Sequence, residues 1–151
     1  MKEDQLRQIL QFFFFVTLSE ERSKLLAREA WHWCLKKKEK NPKLNPEHIM
    51  LLALEKSWET LSQESRTGVA DFSADSGWLL PLSLKLEPWK EFQKAASSDE
   101  LFITVVTQIL KVSENTITEV LGISSGTIRY RLSRTIRRVG IAVGHIHEGR
   151  L

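Results

Sequence analysis

Cysteine is nearly absent from this chain: Cys34 stands alone among 151 residues. A single thiol excludes an intramolecular disulfide, which fits a reducing cytoplasm. Long apolar runs are missing too. The longest aromatic stretch, Phe12 to Phe15 followed by Val16, falls far short of the ~20 residues that a spanning helix needs. The start carries Glu3 and Asp4 and does not read as a signal peptide, so a cytoplasmic location and no membrane partner are expected. There is no internal repeat and no glycine-rich phosphate loop. His145 and His147 form a His-x-His pair, but no cysteine, aspartate or third histidine stands near them, so they lack the ligands of a metal site. Glu20, Glu21 and Glu29 are spaced like a solvated helix face. No catalytic residue, cofactor or metal is therefore expected, and the chain does not read as an enzyme. No segment alternates with period two between hairpin turns, which leaves an all-α fold class.

The charge that is present is placed unevenly. The total is 22 − 19 = +3, yet residues 1–75 hold 12 basic and 12 acidic side chains, while 122–151 hold six arginines and one glutamate. A local basic excess is the electrostatic footprint expected on nucleic acid.

That excess coincides with the most informative stretch, residues 117–138. Ser113 is placed to cap a first helix, on which Ile117, Val120 and Leu121 share a face. Gly122 can end it in the left-handed conformation. Ile123 fills the corner, and Ser124 or Ser125 caps a second helix. At about 100° per residue, Ile128, Leu132, Thr135, Ile136 and Val139 form its core face. Thr127, Tyr130, Arg131, Arg134, Arg137 and Arg138 fall opposite, with Arg129 at the border. This is the pattern of a helix-turn-helix, whose second helix enters a major groove. Arginine forks suit phosphate oxygens and guanine edges.

The wording LGISSGTIRYRLSR resembles region 4 of bacterial sigma factors, especially the extracytoplasmic-function (ECF) type. The likeness rests on Leu121 to Ser124, Gly126-Thr127-Ile128, Arg131-Leu132 and Arg134. Response-regulator output domains share part of it. The resemblance implies that the helix reads promoter DNA, with Thr127, Tyr130, Arg131 and Arg134 in the groove and Arg137 and Arg138 at phosphate. It also implies RNA polymerase core or an anti-sigma factor as a partner beside double-stranded DNA. A weaker likeness to region 2 lies in FFFFVTLSEERSKLLAREAWHWCLKK, where Lys24 and Arg28 replace the family's acidic residues. The stretch EKSWETLSQESR is nearly balanced in charge where the family has its basic melting helix.

The expected organisation is a helical N-terminal domain at 1–65, a linker at 66–88, and a region 4-like helix-turn-helix domain at 89–151. Within them, helices are expected from Glu20 to Lys37, from Pro46 to about Ser62 behind Asn45, from about Pro88 to Ala96, and from Asp99 to Lys111. Trp78 to Leu82 is too apolar for a free linker and is expected to pack on a domain. Trp31 and Trp33 cannot face the same way. Trp58, Trp78 and Trp89 are expected to pack helices together. The apolar stretch Leu101 to Leu110 suggests a partner surface, and a homodimer stays open. Two function classes follow: a DNA-binding transcription regulator, or a sigma-like interaction module without DNA contact.

Overall fold

A computed structural model describes residues 1–63 and 86–139, apart from the side chains of 86–88, 136, 138 and 139. Every element among them is a helix, so the all-α expectation holds. The order is α1 (Glu3–Thr17), α2 (Glu20–Lys40), α3 (Pro46–Leu61), α4 (Leu86–Ala95), α5 (Ser98–Thr104), α6 (Glu114–Leu121) and α7 (Ser125–Val139). A π-helical turn, Val105–Ile109, continues α5. No described helix is long and apolar enough to cross a membrane.

Local signals set most helix starts. Ser19 accepts from Arg22 N at the head of α2, and Asn45 accepts from Glu47 N ahead of Pro46 on α3. Each hydroxyl or amide oxygen satisfies a backbone donor that has no partner inside its helix. Ser97 does the same for α5, accepting from Glu100 N.

The centre of the fold is the second half of α1. Phe12, Phe13, Phe14 and Phe15 are all fully buried. Four consecutive positions of a helix point all round its axis, so this half is enclosed by neighbours on every side. It packs against α2, α3 and the π turn. A helix end so deeply buried must still satisfy its last carbonyls. Leu18, in the left-handed region at φ 56°, donates its N–H to Phe14 O. Trp89 Nε1 donates to Phe15 O and Gln93 Nε2 to Val16 O, each at 3.0 Å. Side chains of α4 thus finish α1.

This closure crosses the boundary expected between two domains. Buried apolar residues from Ile9 to Ile128 form one cluster. Phe12 on α1, Trp58 on α3 and Phe102 on α5 meet ring to ring, with centroids 5.6 to 6.5 Å apart. Trp58 Nε1 also donates to Ser98 O, and Gln8 Nε2 to Leu110 O. The N-terminal helices and the helix pair at 114–139 share a core, because neither set has enough apolar surface of its own to close one. Of the expected linker, 66–85 and with it Trp78 lie outside the described residues, while 86–88 open α4.

One further expectation changes. The stretch Leu101 to Leu110 is no partner face: Leu101, Phe102, Ile103, Val105, Val106, Ile109 and Leu110 are all buried. Within it the β-branched run Ile103 to Thr107 suits a helix poorly, and the backbone widens to the i→i+5 bond from Leu110 N to Val105 O. On α2 only Ser23, Ala27, Ala30 and Cys34 are buried, a narrow small-residue stripe that lets the helix approach closely. Leu25, on the same helix, is exposed. Burial pushes the Cys34 thiol up to about 11, so it packs as a small apolar group.

Candidate nucleic-acid interface

Residues 113–139 fold as two helices joined by a three-residue turn, Gly122 to Ser124. Ser113 caps α6 by accepting from Thr116 N at 3.2 Å. Gly122 sits at φ 70°, ψ 17° and returns its N–H to Thr118 O. Of the two serines that could cap α7, Ser124 does so. It accepts from Thr127 N at 3.2 Å and donates to Thr127 Oγ1 at 2.9 Å. Ile117 and Ile128 are fully buried, and Ile123 packs partly against the core.

The orientation of α7 is fixed by α5. Ile128 and Thr135 are buried, Leu132 is half-buried, and the side chains of Ile136 and Val139 lie outside the described residues. Thr104 donates to Glu100 O at 2.7 Å and sits 3.2 Å from Thr135 Oγ1, which donates to Arg131 O at 3.0 Å. This polar seam lies inside the interface and holds the register of α7 on α5.

The outward stripe differs in part from the expected one. Gly126, Arg129, Tyr130, Ser133, Arg134 and Arg137 are all exposed, so Tyr130, Arg134 and Arg137 face outward as expected and Arg129 and Ser133 join them. Tyr130 retains 63 % of its surface. Arg129, expected at the border, projects freely and pairs only at the surface, with Glu114 at 3.3 Å. Arg137 makes no ion pair among the described residues. Thr127 is half-buried and occupied by its cap. The side chain of Arg138 lies outside the described residues.

Arg131 and Arg134, expected to lead the groove contact, both reach acids of α5, although Arg134 keeps 45 % of its side chain exposed. Arg131 Nη2 is 3.5 Å from Asp99 Oδ2, and its side chain is only 26 % exposed. Arg134 Nη2 is 3.5 Å from Glu100 Oε1, a carboxylate that is 3 % exposed. The Arg134 guanidinium also stands 5.8 Å over the Tyr130 ring. A cleft of about 210 Å³ runs beside Arg131, lined by Glu55 and Glu59 of α3 and Asp99 and Phe102 of α5. Burial first, then the Glu59 carboxylate, raises the pKa of Glu55. Sequence reasoning missed these carboxylates. The signal available was the Ser97-Ser98-Asp99-Glu100 helix start, whose acidic first turn had to face something.

A second surface lies between α2 and α3. A groove of about 370 Å³ is lined by Leu26, Ala30, Trp33, Ala53, Lys56 and Leu61, among others. Trp33 is half-buried there, with the ammonium groups of Lys37 and Lys56 5.8 and 5.5 Å from its ring centre. Trp31, two residues away, is half-buried on the other flank of α2.

No protein-family model, curated protein or solved structure matches this chain.

Proposed function

We propose that the protein is a DNA-binding transcription regulator that docks α7 in a major groove, and more finely a diverged sigma factor of the ECF type. The observation that carries this is the outward stripe of α7. Arg129, Tyr130, Ser133 and Arg137 project from one helix that is capped at its start and seated on α5 by its opposite face. Such a helix offers rigid donors at groove spacing without moving the core. Arg137 and Arg129 supply phosphate contacts; Tyr130 and Ser133 face the base edges between them. The shared core makes this head an integral part of the molecule rather than a tethered domain, which departs from a sigma factor with separate region 2 and region 4.

The test is a binding titration on duplex DNA at several salt concentrations. Affinity is expected to fall as salt rises. Arg137→Ala is expected to weaken binding evenly across sequences and to flatten the salt slope by about 1. Absence of binding at low salt overturns the proposal.

A second reading has an observation of its own. Asp99 and Glu100 already occupy Arg131 and Arg134, while the α2–α3 groove offers Trp33 to a protein. A sigma-like interaction module would bind RNA polymerase core or an anti-sigma factor through that groove, with no DNA contact. Partner binding lost in Trp33→Ala, without duplex binding in the parent protein, would favour it.

A further inference from the structure

We infer that Asp99 sets the DNA affinity of this protein by holding Arg131 as a retractable contact, whereas Glu100 makes Arg134 a structural residue. The inference rests on the DNA-binding reading above and adds the regulation of that surface.

The two ion pairs share one spacing, 3.5 Å, and differ in burial. Asp99 is 71 % exposed. A pair with a hydrated partner is weak, because water replaces the lost contact at little cost. A phosphate arriving beside α7 can therefore take the Arg131 guanidinium and leave Asp99 to solvent. Glu100 is 3 % exposed. Water reaches this carboxylate poorly, so giving up its contact with Arg134 costs more than giving up an exposed pair. Thr104 and Thr135, packed beside it, hold the two backbones in place. Arg134 stays where it is.

Arg131 thus has two competing acceptors. Asp99, with Glu55 and Glu59 lining the same cleft, presents carboxylates where DNA presents phosphates. Only the difference between the two reaches the binding constant. The carboxylates also raise specificity, since nonspecific phosphate contact must displace them at every site visited. Arg129 has a carboxylate of its own, Glu114, at 3.3 Å.

The experiment is a double-mutant cycle on the full chain, read by anisotropy on a mixed-sequence duplex at two salt concentrations. Asp99→Asn is expected to tighten binding by about two- to fivefold, the worth of an exposed ion pair expressed as affinity. Arg131→Ala in the same chain is expected to abolish that gain. Glu39→Gln, an exposed acid on α2, removes the same charge away from the cleft and is expected to change affinity less. Arg134→Ala is expected to lower the melting temperature while leaving the salt slope unchanged. A gain in Asp99→Asn that survives without Arg131, or no gain at all, overturns this inference and leaves the DNA-binding reading standing. Failure of every variant to bind duplex DNA overturns that reading and this inference with it. A drop in salt slope for Arg134→Ala at unchanged stability would show Arg134 at phosphate and refute its structural role.

Discussion

Replacing Phe102 by alanine tests whether the molecule has one core or two. The Phe102 ring stacks edge-on against Phe12 at 5.6 Å and lies 6.5 Å from Trp58, so it joins α5 to α1 and α3. It is 5 % exposed. Truncating a buried phenylalanine loses its transfer free energy and leaves a cavity, together about 3–5 kcal/mol. In a chain of this length that lowers Tm by roughly 6–20 °C. The magnitude alone does not distinguish the two architectures, but its distribution does. Native-state hydrogen exchange reports the opening free energy of each helix separately. With one cooperative core, the slowest amides of α1, α3 and α6 lose the same protection. If α5 to α7 formed an independent domain, the loss would be confined to those helices, and α1 and α3 would keep their protection. That second result refutes the shared core. It would also restore the two-domain organisation expected from the sequence.

Gly122→Ala is expected to destabilise the chain by about 1–2 kcal/mol, the cost of a Cβ in the left-handed region. A Cβ there would meet nothing within 4 Å, so the loss is backbone strain alone. Gly126→Ala, also in open space but helical, is expected to gain up to about 1 kcal/mol. Urea midpoints at constant slope measure both, and equal effects at the two glycines would contradict the turn geometry. Glu55→Gln is expected to raise Tm at pH 7. The native pKa of Glu55 stands above its unfolded value, so the native state binds more protons and stability is lost as pH rises through that native pKa. The advantage of the variant should vanish below about pH 4, where the carboxyl is protonated in both states. A Tm difference independent of pH would refute it.

The elements read well from sequence where the physics is local. Asn45 with Pro46, Ser113 and Ser124 cap the helices they were expected to cap, and Gly122 takes the positive φ that its place after Leu121 requires. Each of these depends on hydrogen bonds within a few residues. The tertiary arrangement was less accessible. The run Phe12 to Phe15 says that α1 is buried all round, but not that Trp89 and Gln93 will finish its carbonyls from more than 70 residues away. Leu101 to Leu110 looked like surplus apolar surface because its partners lie on α1, α3 and α7, which composition does not reveal.

The same limit explains the arginines. A helical wheel assigns an azimuth to each side chain, and by that measure Arg131, Arg134 and Arg137 belong to one basic half. What separates them is the neighbour on each flank. On one side α5 presents the acidic first turn that its own helix dipole favours, and its two carboxylates meet the arginines nearest to them. Arg137 is further round the helix and stays in solvent. The positions at the edge of an amphipathic face are therefore the least determined by periodicity. They are also where an internal carboxylate can compete with a phosphate, so under the proposed function the boundary residues tune an affinity that the centre of the stripe supplies.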